Sequence, residues 1–262
     1  MSFTYKTALI TGASSGIGAA FATTLAAAGC DLILVARSAD KLNALAQQIA
    51  QQHGRRVEVV VADLAKASPG AELKKIVEKL GLQVDLLINN AGFGTTGSFE
   101  TLDPGREQEE IRLNTGAVVD LSRSFLPPML QAGSGAIINV ASMAAFQPLP
   151  YMAVYGATKA FVWSFSDALW GECRGRGVHV MAVCPGPVDT AFFEATGDAH
   201  LRDTVPKGSV VSAQTVVDET LRGLRRRNRL VIPGALSKAS SVFTRLAPRP
   251  LLTLAVGKFM KH

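Results

Sequence analysis

Thr11-Gly12-Ala13-Ser14-Ser15-Gly16-Ile17-Gly18 follows the apolar run 7–10 and leads into the helical pattern 19–28. Glycines at a strand-to-helix turn let the backbone bend tightly. They also let a diphosphate approach the N–H groups at the helix start, where the helix dipole favours anions. The spacing is G-x-x-x-G-x-G, distinct from the G-x-G-x-x-G dinucleotide fingerprint. The same residues satisfy G-x-S-x-G over 12–16, the pattern of a nucleophile elbow with Ser14 as its serine. Position argues against a serine hydrolase. That elbow sits in the middle of a sheet with other strands already laid down, whereas this turn follows the first strand.

Outward from the turn, apolar β-rich runs recur at 31–35, 57–61, 84–88, 136–140, 178–183 and 230–232. Each is bounded by turn residues, and most are followed by a longer amphipathic stretch, as strands buried on both faces by crossover helices require. The pattern predicts an α/β fold, a doubly wound seven-stranded parallel sheet of the Rossmann type, in a single domain with a C-terminal helical extension. The catalytic body is expected over 1–233 and a basic amphipathic extension over 234–262. Ser38 is placed as N-cap of a helix over 39–52, and Ser212 of one over 213–224. The stretch 184–211 lacks clear periodicity and holds three prolines and the pair Phe192 and Phe193. Following the sixth strand, it should lie over the carboxyl edge of the sheet, and it is read as the substrate loop.

The 262 residues are 48% hydrophobic and 18% charged, which provides for a large core and excludes a disordered chain. Cys30, Cys173 and Cys184 are odd in number and show no C-x-x-C, so neither a disulfide framework nor a zinc site is indicated and a reducing cytoplasmic setting is expected. His53, His179, His200 and His262 are scattered, and no metal is expected. No signal-peptide pattern or membrane-spanning run is recognised. The net charge of +6 is unevenly spread: residues 220–262 hold ten Lys and Arg and no Asp or Glu, leaving the first 219 residues at −4. The basic character is that of a tail. No nucleic-acid-binding module accompanies it, and nucleic acid is not an expected partner.

Cofactor choice is read at the end of the second strand, where a carboxylate would accept hydrogen bonds from the adenosine ribose and repel a 2′-phosphate. Here Leu34-Val35-Ala36-Arg37-Ser38 offers no carboxylate, and Arg37 brings a guanidinium suited to phosphate. NADP(H) is the expected cofactor. Tyr155 and Lys159 stand one helical turn apart, so their side chains share a face. A neighbouring ammonium favours phenolate and should lower the tyrosine's pKa toward neutrality, where proton exchange with a carbonyl or alcohol is efficient. Ser142, at the end of the fifth strand, is placed to hydrogen-bond the reacting oxygen.

These motifs resemble, in order, those of the short-chain dehydrogenase/reductase family over roughly 6–232. Its cofactor loop is similar to Gly12, Ser14, Ser15, Gly16, Ile17 and Gly18. Asp63-Leu64 resembles the pair that holds the adenine ring, and Asn89-Asn90-Ala91-Gly92 the sheet-stabilising and cofactor-contacting motif. Asn114, Ser142, Tyr155 and Lys159 match the catalytic residues. Pro185, Gly186, Val188 and Thr190 fall in the segment that contacts the nicotinamide end. The resemblance implies that Lys159 holds the nicotinamide ribose, that Asn114 positions a water linking Lys159 to solvent, and that dimers or tetramers pack through the helix bearing Phe161, Trp163, Phe165 and Trp170. The alternative is a catalytically inactive NADP(H)-binding sensor or scaffold.

In the extension, Leu236, Ala239, Phe243 and Leu246 share one face of an expected helix, and 251–260 forms a second apolar stretch. Two readings are open. The helices pack on the domain or a neighbouring subunit and wall the pocket, or they attach peripherally to an anionic membrane. Phe93, Phe146, Leu149, Phe192 and Phe193 indicate an apolar carbonyl or alcohol substrate, and NADP(H) leans the direction toward reduction.

Overall fold

The computed structural model describes residues 5–190, 192, 196 and 208–260, apart from the Arg245 side chain. Seven parallel strands form one sheet: β1 (Thr7–Thr11), β2 (Asp31–Ala36), β3 (Val57–Val61), β4 (Leu86–Asn89), β5 (Gly135–Val140), β6 (Val178–Val183) and β7 (Leu230–Val231). Their order is β3-β2-β1-β4-β5-β6-β7. The order reverses between β1 and β4, which pair Ala8 to Leu86 and Ile10 to Ile88. Loops leaving neighbouring strands in opposite directions open a crevice at that point, the position where such sheets bind ligands. The expected runs match these strands within two residues at each end.

The apolar runs are continuous because each central strand is covered twice. Ala8, Ile10, Leu32 and Leu34 face α1 (Gly16–Ala27), α2 (Ala39–His53) and α7 (Ala213–Arg225), where Phe21, Leu25, Leu42 and Val217 meet them. Leu9, Ile33, Val35 and Leu87 point the other way, into a second cluster with Leu73 of α3 (Pro69–Lys79) and Leu121 and Phe125 of α5 (Ala117–Ala132). The strand period of two thus deals alternate residues to two cores.

Three further helices matter for the site. α4 (Pro104–Ile111) runs into α5 through a π-helical turn over Arg112–Gly116. α6 (Ala153–Cys173) carries Tyr155 and Lys159, both buried. The extension forms α8 (Ala235–Leu246) and α9 (Arg249–Met260). Ser212 caps α7 as expected, its hydroxyl accepting from the Thr215 N–H at 3.0 Å. Ser38 stands at the N-cap of α2 but makes no side-chain cap hydrogen bond, so that expectation is corrected: the backbone supplies the cap position and the hydroxyl does not fill it. Among the described residues no helix is long and apolar enough to cross a membrane.

Candidate active site

The glycine loop leaves β1 with Gly12 and Gly16 in the left-handed region, at φ +65° and +55°. Gly16 also lies so close to Thr190 that an added Cβ would stand 2.9 Å from its Cγ2. Ser15 occupies the N-cap of α1 in extended conformation without a side-chain cap bond, so the first-turn N–H groups are not filled by a hydroxyl. The loop is fixed from beneath by Thr11. Its hydroxyl donates to the Ile88 carbonyl at 3.3 Å and accepts from the N–H groups of Asn90 and Ala91 at 2.9 and 3.0 Å. The Asn90 amide in turn donates to the carbonyls of Thr11 and Gly12 at 3.0 and 3.3 Å. One threonine therefore ties the two loops of the switch point together.

Asn89 turns inward instead. Its amide donates to Asn139 at 2.8 Å and to the Ser122 hydroxyl at 3.3 Å, and the Asn139 amide donates to Ser166 on α6 at 2.9 Å. This buried chain joins β4, β5, α5 and α6 and sets the helix that bears Tyr155.

Around Tyr155 the expected group assembles. The Ser142 hydroxyl accepts from the Ala144 N–H at 3.1 Å, which leaves its proton free to bond the Tyr155 hydroxyl. The Lys159 ammonium donates to the Val140 carbonyl at 3.0 Å and lies 5.7 Å from the Tyr155 ring centroid. Asn114, on the π-turn, donates to the Phe93 carbonyl at 2.8 Å and to Thr158 at 3.1 Å, while accepting from the Phe93 N–H at 3.2 Å. Gly92 permits the approach: a Cβ there would stand 2.8 Å from Asn114 Oδ1 and 3.4 Å from Lys159 Nζ. Thr158 completes the ring by donating to the Tyr155 carbonyl at 2.8 Å.

The electrostatics depart from the expected balance. Burial pushes the Tyr155 phenol up to about 12, opposed by its hydrogen bond from Ser142 and assisted by the Glu110 carboxyl. Burial likewise pushes Lys159 down to about 8, with Cys184 and Glu110 acting to raise it. The fall toward neutrality expected for Tyr155 is therefore corrected, because desolvation of the phenolate outweighs its neighbours. Glu110, fully buried on α4, was not singled out from sequence. Its Oε2 accepts from both the N–H and the hydroxyl of Thr95, at 2.9 and 2.8 Å, and this ties down the loop that passes over Tyr155.

Other expected residues take different places. Arg37 is exposed at the end of β2 and pairs with Glu109 of α4 at 3.0 Å. Asp63 accepts from the Ala65 N–H at 3.0 Å, and Leu64 is buried in the core under the sheet. Ile17 and Val188 pack into the core on the α1 side. The Pro185 carbonyl accepts from the Met143 N–H at 2.9 Å, and Gly186 abuts Ser237 of α8. Leu149 and Phe192 join Tyr155, whose ring lies 5.3 Å from that of Phe192. Phe93 is instead covered by the Arg106 guanidinium at 3.9 Å, and Phe146 packs edge-on to Trp163 in a separate cluster. Phe193 and most of 184–211 lie outside the described residues. The rest of the apolar wall is Ala144, Met152 and, from α9, Val256 and Met260. No periodicity connects Met260 to Tyr155, so only the fold reveals it. Ser14, the rival nucleophile, bonds neither His53 nor His179: the latter is buried on β6 against the Asn228 carbonyl. Among the described residues no cluster of His, Cys, Asp and Glu is arranged for a metal.

Residues 6–200 match the family model described as short chain dehydrogenase. The chain belongs to this family. An uncharacterized oxidoreductase of Staphylococcus epidermidis is 36% identical over 192 residues, 73% of this chain and 81% of that protein. A very-long-chain 3-oxoacyl-CoA reductase of Anas platyrhynchos is 34% identical over 215 residues, 76% of this chain and 67% of its own length. Among solved structures, the short-chain dehydrogenase of Sphingobium yanoikuyae in complex with NADPH is 35% identical, with a TM-score of 0.81 over 93% of this chain and 96% of that one. The bulky-bulky ketone specific alcohol dehydrogenase of Comamonas testosteroni is 31% identical, with a TM-score of 0.77 over 95% and 96%. This short-chain dehydrogenase is accordingly an oxidoreductase, and its family membership accounts for the order of motifs from Thr11 to Thr190.

Proposed function

We propose that the protein uses NADPH to reduce an apolar ketone or acyl-chain carbonyl to the alcohol, with Tyr155 as general acid. The observation that carries this reading is Tyr155, buried with Ser142 as its polar neighbour and packed in one apolar cluster with Ala144, Met152, Leu149, Phe192 and Met260. Its raised pKa keeps the phenol protonated at neutral pH, as an acid must be before it donates. The coenzyme, when bound, supplies a hydride to the carbonyl carbon. Tyr155 gives its proton to the carbonyl oxygen, so one hydride and one proton make the alcohol. Ser142 steadies the developing charge on that oxygen, and the Lys159 ammonium stabilises the phenolate left behind. Asn114 holds the Phe93 backbone beside Lys159 and serves proton resupply.

The switch-point crevice fits a dinucleotide: the glycine loop provides left-handed turns and unfilled helix N–H groups for a diphosphate, and Thr11 fixes it to 90–92. Arg37 would take the 2′-phosphate after exchanging Glu109, a small barrier because an exposed ion pair is worth about 0–1 kcal/mol. The names of the relatives, a reductase of very-long-chain acyl thioesters and a dehydrogenase of bulky ketones, agree with the apolar wall. The same reading treats 1–233 as the catalytic body and 234–262 as an extension. It also assigns a homo-oligomeric contact to α6, where Phe161 is exposed and stacks on Phe165 at 6.0 Å, whereas Trp163 and Trp170 are covered by Arg229.

A panel of bulky ketones and 3-oxoacyl thioesters, followed by nicotinamide absorbance with NADPH and NADH, tests the proposal. Turnover should favour NADPH and large apolar carbonyls. Tyr155→Phe should lower kcat by about 10²–10⁴-fold while NADPH still binds. Turnover of no carbonyl, or full activity in Tyr155→Phe, would refute the reading.

A further inference from the structure

α8 is amphipathic in the reverse of the usual sense. The positions turned inward are Ser237, Ser241 and Thr244, each less than a tenth exposed, while Leu236, Val242, Phe243 and Leu246 are 59 to 81% exposed. Two of these inward hydroxyls are satisfied locally: Ser241 donates to the Lys238 carbonyl at 2.7 Å and Thr244 to that of Ser241 at 3.2 Å. α9 continues the pattern. Leu252 and Met260 face inward, and Leu251, Leu254 and Phe259 are exposed. Seven of the thirteen exposed large apolar side chains among the described residues fall on these two helices, so the apolar surface is concentrated there and not scattered.

Charge decides what covers it. The segment 234–262 contains no Asp or Glu; Lys238 pairs with Glu219 of α7 at 2.8 Å, and the remaining cations are Arg245, Arg249, Lys258 and Lys261. Two copies meeting through this face would bring the exposed Arg249 and Lys258 against like charges. An anionic bilayer offers hydrocarbon for the leucines and phenylalanines and phosphate for the cations. We propose that the outward faces of α8 and α9 dock the protein on an anionic lipid surface, with the apolar side chains seated ~5–10 Å below the headgroups. Between α9 and the segment 98–100 lies an open cleft of about 600 Å³ lined by Phe99, Pro150, Tyr151 and Leu254 together with the charged Glu100 and Lys258. Tyr151 also belongs to the Tyr155 cluster, so an apolar compound dissolved in the bilayer meets the enzyme on its pocket side.

The test is co-sedimentation of the full chain with phosphatidylcholine vesicles, with and without phosphatidylserine, at low and high salt. The chain should pellet with the anionic vesicles and be released roughly tenfold by high salt or by omitting phosphatidylserine. The double variant Phe243→Ser, Leu246→Ser should lose about tenfold in binding. It should keep its thermal unfolding midpoint and its turnover of a water-soluble ketone, because neither side chain touches the Tyr155 cluster. No sedimentation with anionic vesicles at low salt would overturn the proposal, as would unchanged binding by the variant. So would a wild-type dimer in light scattering that the variant reduces to monomer, which would assign the face to a second copy. Docking does not depend on the redox reading: an inactive chain that still sediments refutes only the proposed reaction.

Discussion

Lys159 and Tyr155 are displaced in opposite senses by one cause, and the consequence for stability differs at each. The folded-state pKa of Lys159 lies near 8, below its ordinary 10.5, so between those values the unfolded chain binds a proton that the folded chain has released. Stability attributable to this residue therefore rises with pH across that window. Tyr155, raised to about 12 from 10, acts in reverse, and its contribution falls as pH climbs through that higher range. Lys159→Met removes only the first effect. Its stability relative to the wild type should be more favourable by about 2 kcal/mol at about pH 7 than at about pH 10, measured by denaturant unfolding. An equal difference at both values would mean that Lys159 is hydrated. At Arg37 the competing charge is Glu109, so Glu109→Gln should tighten NADPH binding about two- to fivefold in a fluorescence titration, and Arg37→Ala should weaken it. A gain of similar size for NADH would show that the guanidinium does not read the 2′-phosphate.

Elements hold these residues through connections that no single segment displays. Asn114 faces Phe93 because the helix from α4 to α5 widens into a π-turn around it, and such turns cluster where a side chain must be re-aimed. The chain from Asn89 through Asn139 to Ser166 makes α6 answer to the centre of the sheet. Asn139→Ala would leave the Asn89 amide and the Ser166 hydroxyl short of a buried partner. It should cost about 2–3 kcal/mol in chemical denaturation with a proportionate loss of turnover. A cost near zero would mean that water replaces the amide. Most of the strands and helices could be read from sequence because their burial follows a period of two or 3.6. The caps were less legible. Ser38 and Ser212 look alike in sequence, and only Ser212 uses its hydroxyl. α8 misleads for a clearer reason: periodicity finds an apolar face but not which way it turns, and here serines and threonine took the inner side.

At the scale of the whole molecule, the sheet follows from alternation of apolar runs and helices, and the grouping of Asn114, Ser142, Tyr155 and Lys159 from motif order, because both are local patterns repeated along the chain. Arg37 with Glu109, Glu110 with Thr95 and Met260 with Tyr155 are contacts between distant segments, set by how the sheet twists and how the last helices return. The strand order carries one more consequence, for the order in which the protein is made. β1 waits between β2 and β4 until residue 89 has left the ribosome, but β5, β6 and β7 then each arrive beside the strand made just before. The Thr11 clamp on Asn90 can close from that point, while Tyr155, 65 residues further along, has still to emerge. On the proposed reading, a nascent chain thus fixes its glycine loop well before the tyrosine that serves as general acid has emerged.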